Sequence, residues 1–289
     1  MKYVVTFVLA VAVSLMMGHV WGPKGGEGVV AAKESAYERV MRTGVLRCGY
    51  NYYAPAIEKD EKTGELKGLM IDYMNEIARV ANIKVEWTTL VDWGVQTAEL
   101  QAGKVDAMCH GGWETAKRAK FIAHTTPLAY QTIYAYVRRD DNRYANNLDA
   151  WNKANIQITV VENTSIDTAQ KERFPLAKPV PMPPMSVEAD SLMAVVARKA
   201  DMALISKADA ELYMESNPHS VRLLSSEPVR VQGNTLMVSN DDMRLWNMLN
   251  TAVRELQNAG VMEMLVQKYN RQKPGSFLLA APLYSTKLD

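Results

Sequence analysis

The stretch LMIDYMNEIARVANIKVEWT, residues 69–88, decides the fold class of this chain. Its first part carries apolar side chains that recur every three or four residues, which predicts one buried stripe on an amphipathic helix. The stripe consists of Met70, Tyr73, Met74, Ile77, Val80 and Ala81. Asn82 ends the predicted helix, and residues 83–88 follow as a β-strand.

The alternation of strand and helix continues on both sides of this stretch. A strand is predicted at 45–49, and a helix at 96–101 and a strand at 105–109 follow. This order predicts a parallel sheet with helices on both faces, and therefore an α/β fold. After an aromatic strand at 130–137 the pattern restarts. The second half comprises strands at 156–161, 202–205 and 235–239, a helix at 167–173, and a helix that Ser186 caps and that runs to Lys199. Val180 is predicted as the remnant of a strand, beside a rigid loop that contains Pro179, Pro181, Pro183 and Pro184.

Length and composition exclude several classes of protein. The 289 residues are 48% hydrophobic and 22% charged, which is typical of a folded protein and not of a disordered or disulfide-scaffold chain. The 33 basic and 32 acidic residues leave a formal net charge of +1, so no charge excess directs the chain to nucleic acid. The chain after residue 32 exceeds what one hydrophobic core usually serves, and we expect two lobes.

The first 32 residues form a separate segment. Lys2 precedes an apolar run at 4–17 that is too short to span a bilayer comfortably, and a polar, glycine-rich stretch follows it. This pattern predicts an export signal with Val30-Ala31-Ala32 as one possible cleavage site, and hence a periplasmic protein. An uncleaved N-terminal anchor is the alternative. Since no cysteine follows the apolar run, we expect no lipid anchor there.

Cys48 and Cys109 are the two cysteines, and the histidines at 19, 110, 124 and 219 are scattered. No spacing of these residues matches a zinc or cluster site, so we expect neither a metal nor a cofactor. Export would permit a disulfide between Cys48 and Cys109. Because both lie in apolar, strand-like segments, we favour two buried free thiols.

Ligands of open α/β sheets bind beyond the carboxyl ends of the strands, and this rule selects residues 50–53, 110–118, 162–165 and 206–207. In the second segment we expect Thr115 to lead into a helix whose first turn contains Arg118. Free backbone N–H groups at a helix start favour an anion, and an arginine there can bind a carboxylate. In the alternative, Thr115 merely caps the helix and Arg118 faces solvent.

The chain after residue 32 resembles the family 3 extracellular solute-binding proteins, the amino-acid-binding type of periplasmic receptor. The matching stretches are TGVLRCG at 43–49, YAP at 53–55, TGELKG at 63–68 with Asp72, LQAGKVDA at 100–107, TAKR at 115–118, KAD at 199–201, and residues 249–260. The resemblance implies two doubly wound lobes joined by two crossing strands, which close on a small solute that is handed to an ABC permease. It places the first part of lobe 1 at 33–136, lobe 2 at 137–231, and the return to lobe 1, with the C-terminal helices and tail, at 232–289.

The resemblance also implies site residues. Arg118 resembles the carboxylate-binding arginine of the family. The other ligand-binding residues that we expect are Asn51, Tyr53, Trp93, His110, Gly111, Trp113, Thr115, Glu162, Thr164, Ser165 and Ser206. Trp113 departs from the hydroxylated residue that is usual at its position, which leaves Thr115 and backbone amides to supply donors.

A second departure bears on the ligand. Ser206 stands where the family has its ammonium-binding aspartate, and an ammonium buried without a partner is costly. Either Glu162 or another carboxylate substitutes, or the ligand is an acid without an α-amino group. The aromatic side chains of the first lobe would suit a flat or apolar acid.

Three functions are therefore compared. The leading hypothesis is a non-enzymatic, monomeric receptor for an amino acid or a related organic acid, with an ABC permease as its partner. The second is a dehydratase-like enzyme acting on cyclic carboxylic acids, for which Glu162 or His110 would serve as the general acid. The third is a protein that presents its bound ligand to a membrane sensor.

Overall fold

The computed structural model describes residues 34–184, 186–271 and 275–279, so the predicted export signal lies outside the described residues. The described α-helices are α1 (Ala36–Thr43), α2 (Leu69–Ala81), α3 (Gln96–Gln101), α4 (Ser165–Arg173), α5 (Glu188–Val196), α6 (Lys207–Ser216), α7 (Met243–Asn258) and α8 (Val261–Asn270). Short 3-10 turns occupy Arg118–Lys120 and Asp149–Trp151.

The described strands are β1 (Val45–Tyr50), β2 (Glu58–Lys59), β3 (Leu66–Lys67), β4 (Lys84–Leu90), β5 (Ala107–Trp113), β6 (Ile122–His124), β7 (Ala129–Arg138), β8 (Gln157–Val161), β9 (Lys178–Met182), β10 (Met202–Ser206), β11 (Val221–Leu223) and β12 (Arg230–Ser239). The main sheet has the order β4-β1-β5-β12-β7-β10-β8-β9, while β6 pairs with β12 and β11 with β7.

Two long strands join the two halves of this sheet. β1 runs parallel to β4 and β5 in one half, and β8 runs parallel to β9 and β10 in the other. Between them, β7 and β12 pair antiparallel, with Arg230 opposite Ile133 and Asn234 opposite Ala129. The predicted architecture of two α/β lobes joined by two crossing strands is confirmed.

Each half has its own hydrophobic core. One cluster collects buried side chains from residues 40–129 and 236–277, including the apolar face of α2 and those of α7 and α8. Two further clusters lie within residues 133–224. The exact lobe boundaries stay predictions. No helix among the described residues combines the length and hydrophobicity that crossing a membrane requires.

The helix in the stretch 69–88 forms as its periodicity predicts. α2 buries Met70, Tyr73, Met74 and Ile77. Asn82 ends the helix in the left-handed conformation at φ 51°, a backbone region that asparagine tolerates better than most residues. The polar side of the helix faces solvent, as expected for an amphipathic helix at a lobe surface.

The expectation of two free thiols is wrong, because Cys48 and Cys109 form a disulfide. They lie on neighbouring parallel strands, where Cys48 is in register with Ala107, and their Cα atoms are 5.5 Å apart. Both side chains are fully buried. The apolar pattern identified two strands correctly but did not show that the strands are neighbours.

The proline-rich segment contains more strand than predicted, since the strand remnant predicted at Val180 lies in the five-residue strand β9. Pro179 and Pro181 lie within β9 instead of a loop, and β9 is an edge strand parallel to β8. An edge strand tolerates proline because the N–H groups on its outer side have no partner to lose. The helix predicted at 186–199 is shorter, since it begins at Glu188 and ends at Val196.

We predict that the disulfide contributes substantially to stability. It closes a chain segment with a sequence separation of 61, for which the loss of unfolded-state entropy corresponds to about 4 kcal/mol. The double variant Cys48→Ala, Cys109→Ala should therefore unfold in urea with a free energy of unfolding lower by a few kcal/mol. As a control, dithiothreitol should lower the stability of the unmodified protein and leave the double variant unchanged. Equal sensitivity of both proteins to dithiothreitol would refute the assignment.

Candidate functional site

A cavity lies between the two halves of the fold, beyond the carboxyl ends of β8 and β10. Its volume, measured as the space open to the centre of a water molecule, is about 90 Å³. This is several times the roughly 10–15 Å³ that one water needs, so a small solute fits. One half contributes Tyr53, Trp93, Gln96, Gly111, Gly112, Trp113 and Arg118. The other contributes Thr159, Val161, Thr164, Ser165, Ile166, Ser186, Val187, Glu188, Ser191, Leu204, Ile205 and Asp209.

Several polar atoms of this lining are buried without a hydrogen-bond partner among the described residues. They are Nε1 of Trp93, both amide atoms of Gln96 and the hydroxyl of Thr159. Buried polar atoms are rarely left unpaired in folded proteins, because each forfeits its hydrogen bonds to water. A polar ligand or water in the cavity would give these four atoms hydrogen-bond partners.

Arg118 bridges the two halves across the cavity. Its Nε and Nη2 donate to the carbonyl oxygen of Asn163 at 3.1 and 2.8 Å, and Nη2 also donates to the carbonyl of Trp93 at 3.3 Å. Nη1 makes no hydrogen bond within the described part of the chain, so it is available to a ligand. Burial lowers the pKa of Arg118 to about 10, which leaves the guanidinium charged at neutral pH.

The local geometry around Arg118 differs from the predicted helix start. β5 extends through Trp113, and residues 118–120 form one 3-10 turn instead of an α-helix. The backbone N–H of Arg118 donates to the hydroxyl of Thr115 at 3.2 Å and to its carbonyl at 3.1 Å. Thr115 is buried and lines a separate pocket behind the turn. The α-helix predicted to follow Thr115 is therefore not formed, and Thr115 positions the turn that carries Arg118.

An aromatic stack supports one wall of the cavity. The rings of Tyr53 and Trp93 meet edge to face with centroids 5.7 Å apart, and Trp93 meets His110 in the same way at 5.2 Å. The hydroxyl of Tyr53 donates to the carbonyl oxygen of His110. Tyr53 and Trp93 line the cavity, whereas His110 is fully buried behind them.

His110 is uncharged at neutral pH. Burial lowers the pKa of its imidazole to about 3, and the nearby charge of Arg118 acts in the same direction. A histidine held neutral so firmly is poorly suited to donate a proton at physiological pH. In this position it supports the Trp93 ring.

The crossing strands hold the end of β5 through a buried polar network. Nε1 of Trp113 donates to Oε1 of Gln131 at 3.1 Å. Nδ2 of Asn234 donates to the same oxygen at 2.7 Å and to the carbonyl of Gly111 at 2.8 Å. Gln131 belongs to β7 and Asn234 to β12, so the two strands that connect the lobes also fix two residues of the cavity wall.

The second half presents the start of α4 to the cavity. Thr164 caps this helix, because its hydroxyl accepts from the N–H of Asp167 at 3.5 Å while donating to the carbonyl of Val161 at 2.7 Å. Ser165 is buried beside it, and its hydroxyl makes no hydrogen bond to another described residue. The first N–H groups of a helix lack partners within the helix, so this end offers donors to a negatively charged group.

Two carboxylates that the sequence analysis did not name line the same cavity. Ser206 caps α6: its hydroxyl accepts from the N–H of Asp209 at 3.2 Å and donates to the Asp209 carboxylate. Ser206 does not line the cavity, but Asp209 does. Glu188, the first residue of α5, lines it as well. Burial raises the pKa of Glu188, and the charge of Asp209 raises it further.

Other predicted site residues lie outside this lining. The side-chain oxygen of Asn51 accepts from the N–H of Tyr52 at 2.8 Å within its own loop, and Glu162 is exposed in the turn after β8. His110, Thr115 and Ser206 lie behind the wall and support residues that do reach it. The cavity brings together Tyr53, Trp93, Gly111, Trp113, Arg118, Thr164 and Ser165 from the predicted set.

The sequence around the lining residues that were not predicted contains a weak pattern in one case and no recognisable pattern in the others. Asp209 stands three residues after Ser206, a spacing typical of a helix-capping pair that places its carboxylate one turn beyond the cap. Gln96, Thr159, Ser186, Glu188 and Ser191 belong to no motif. No group of three or more histidine, cysteine, aspartate or glutamate side chains in the described residues could hold a metal ion.

Comparison with known proteins gives a consistent result. The family model described as bacterial extracellular solute-binding proteins, family 3, matches residues 46–272. The probable amino-acid-binding protein YxeM of Bacillus subtilis (strain 168) is 21% identical over 246 residues, covering 84% of this chain and 88% of that protein.

Solved structures support the fold. The ancestral amino acid-binding protein AncCDT-1, a precursor of cyclohexadienyl dehydratase, superposes with a TM-score of 0.67 at 24% identity, covering 81% of this chain and 99% of its own. The substrate binding protein of an amino acid ABC transporter gives a TM-score of 0.66 at 24% identity, covering 79% and 100%. These matches confirm the type II periplasmic binding protein architecture.

We predict that His110 makes the protein less stable in acid. Its pKa is about 3 in the folded state and about 6.5 in the unfolded chain, so below pH 6.5 the unfolded chain binds a proton that the folded protein does not. Between pH 7 and pH 5 this should remove about 2 kcal/mol of stability. In urea unfolding, the free energy of unfolding of His110→Phe should fall between pH 7 and pH 5 by about 2 kcal/mol less than that of the unmodified protein. The exposed control His219→Gln should lose as much stability over this pH range as the unmodified protein. An unchanged pH dependence in His110→Phe would contradict the prediction.

Proposed function

The chain belongs to family 3 of the bacterial extracellular solute-binding proteins, and from this premise we propose that it is an exported receptor for a small carboxylate-bearing solute. Its two lobes close on an amino acid or a related organic acid, and it then delivers that solute to an ABC permease. The observation that carries the proposal is the Arg118 guanidinium, which spans the cavity with Nη1 unused by the described residues.

The carboxylate of the solute has a suitable site between the lobes. Arg118 supplies a charged donor from one side, and the start of α4 with the Ser165 hydroxyl supplies neutral donors from the other. The acceptors that Arg118 has within the described chain are backbone carbonyls and not a carboxylate. Its charge is therefore only partly balanced, which favours an anionic group of a ligand beside it.

The ammonium group of an amino acid has a partner in the same cavity. Ser206 carries no charge, but the hydrogen bonds that it makes to Asp209 hold that carboxylate one helical turn further along α6, in the cavity wall. This arrangement supports an α-amino acid over an acid without an amino group. The name of the relative YxeM, a probable amino-acid-binding protein, agrees with this choice.

A dehydratase-like enzyme is the second candidate, because the cavity contains an acid able to act as a proton donor. Glu162 and His110 lie outside the lining, whereas Glu188 lines the cavity and has a raised pKa. Raised carboxyl pKa values are typical of general acids. Incubation with cyclic hydroxy-carboxylic acids distinguishes the two functions: turnover that is lost in Glu188→Gln supports the enzyme, and binding without turnover supports the receptor.

We predict that Arg118→Ala loses ligand binding. A thermal-shift screen of amino acids and organic acids should first identify a solute that raises the melting temperature of the unmodified protein, since a ligand at 100 times its Kd adds about 2.7 kcal/mol of stability. In Arg118→Ala the affinity for that solute, measured by calorimetry, should fall by about 100-fold or more.

Two further variants make this test specific. Arg118→Lys keeps the charge without the planar fork and should bind with intermediate affinity. Arg198→Ala removes an exposed arginine that pairs with Asp140 at the surface, and it should bind as tightly as the unmodified protein. Binding by Arg118→Ala within a few-fold of the unmodified protein would overturn the proposed function.

A further inference from the structure

We propose that the pocket behind the turn that carries Arg118 is a second binding site, and that it binds a small organic amine, an apolar molecule with a primary ammonium group. This pocket is separate from the cavity between the lobes. Thr115, Ala116 and Ala119 line the pocket, whereas the Arg118 side chain lines the cavity on the other side of the turn. The inference goes beyond the proposed function and does not rest on it.

The pocket lies between this turn, strand β6 and the start of α7. Its volume, measured in the same way as that of the cavity, is about 520 Å³, which is within the range of small-molecule sites. Besides the turn, its wall combines apolar side chains with a few polar ones, namely Ile122, Ala123, Met243 and Trp246 with Glu114, His124, Arg230 and Asn240. This composition suits a ligand with an apolar body and one polar group.

The first polar contact that the pocket offers is Nε2 of His124, and the hydrogen bonds around the ring make this atom an acceptor. The hydroxyl of Thr235 donates to the carbonyl oxygen of Gly112 at 3.0 Å, so its single proton is already used. Nδ1 of His124 lies 2.8 Å from the same hydroxyl oxygen and must therefore carry a proton and donate it. Nε2 of the neutral ring then has only a lone pair. It is buried and has no partner among the described residues.

His124 does not supply the missing proton itself. Burial lowers the pKa of its imidazole to about 4, and the charge of Arg118 acts in the same direction. At neutral pH the ring is therefore uncharged, and Nε2 stays an acceptor. A ligand group that contacts Nε2 has to bring a hydrogen-bond donor.

The second acceptor is the carboxylate of Glu114. Its side chain makes no hydrogen bond or ion pair with any residue that the structure describes. Partial burial raises the pKa of this carboxyl, and no described donor or cation acts in the opposite direction. Arg230, the cation among the described lining residues, pairs instead with Glu172. The pocket thus offers a negative charge that no described cation balances.

An ammonium group fits these two acceptors better than other donors do. It carries three N–H donors and a positive charge, so one group can donate to Glu114 and to His124, whereas a hydroxyl has a single proton to give. The ring of Trp246 adds a third contact. Its Nε1 donates to the carbonyl oxygen of His124 at 2.8 Å, which fixes an aromatic ring in the same wall for cation–π attraction.

The test compares two molecules that share one apolar body and differ in the polar group. Calorimetric titration of the full protein at pH 7 with phenethylamine and with 2-phenylethanol isolates the effect of the ammonium. We expect phenethylamine to bind at least tenfold more tightly than 2-phenylethanol. Glu114→Gln should lower the affinity for phenethylamine at least tenfold and leave that for 2-phenylethanol within about twofold.

A matched control variant makes the location specific. Glu86→Gln removes an exposed carboxylate on β4, the edge strand of the main sheet, and it should bind phenethylamine as tightly as the unmodified protein. Glu114 is exposed and makes no side-chain contact that its replacement would break, so Glu114→Gln should unfold in urea like the unmodified protein.

Three results would overturn the amine site. They are no binding of phenethylamine, equal affinity for phenethylamine and 2-phenylethanol, and full affinity for phenethylamine in Glu114→Gln, which would place the amine elsewhere, including the cavity between the lobes. An equal loss of affinity in Glu86→Gln would also overturn it, because the attraction would then be a general effect of net charge. None of these results affects the proposed function, which Arg118→Ala tests separately.

Discussion

The bridge that Arg118 makes across the cavity is the interaction on which the site depends. A half-buried guanidinium with a lowered pKa needs acceptors, and the chain provides them as carbonyl oxygens, from Trp93 on one side and Asn163 on the other. Carbonyls satisfy the hydrogen bonds of the guanidinium without cancelling its charge. The arginine is thus fixed in place and still able to attract an anion, a combination that a buried salt bridge would abolish.

The surrounding backbone and side chains fix the positions of Arg118, its acceptors and the cavity wall. Asn163, whose carbonyl accepts from Arg118, turns the chain after β8. Its backbone is left-handed at φ 62°, a region that asparagine tolerates better than most residues. On the other side, Thr115 fixes the turn that carries Arg118. The crossing strands contribute Gln131 and Asn234, whose hydrogen bonds hold Trp113 and Gly111 in the wall. Because β7 and β12 also connect the lobes, a change in the angle between the lobes acts directly on the cavity wall.

Local sequence pattern predicted those parts of the structure that local physics determines. The helix at 69–81 follows from its apolar stripe, and the tendency of α/β sheets to bind ligands at strand ends identified Arg118, Thr164 and Ser165. The disulfide could not be predicted in this way, because it depends on which strands are neighbours across 61 residues. The strand predicted at 105–109 extends further in the structure, because β12 pairs with β5 as far as Trp113. The resemblance aligned the family's ammonium-binding aspartate with Ser206, and Asp209 was not predicted as a site residue. Sequence position alone does not show that the Asp209 carboxylate, one helical turn later, lines the cavity.

The unpaired atoms of the cavity wall suggest how a ligand would drive closure. With the lobes together, Nε1 of Trp93, the amide of Gln96 and the hydroxyl of Thr159 are buried without partners among the described residues. Each such group costs about 1–3 kcal/mol relative to its hydrated state. Separation of the lobes would return these groups to water, so the closed form is penalised when the cavity is empty. Under the proposed function, a solute that supplies hydrogen bonds would remove this penalty only in the closed form, and that difference in affinity between the two forms would shift the equilibrium toward closure.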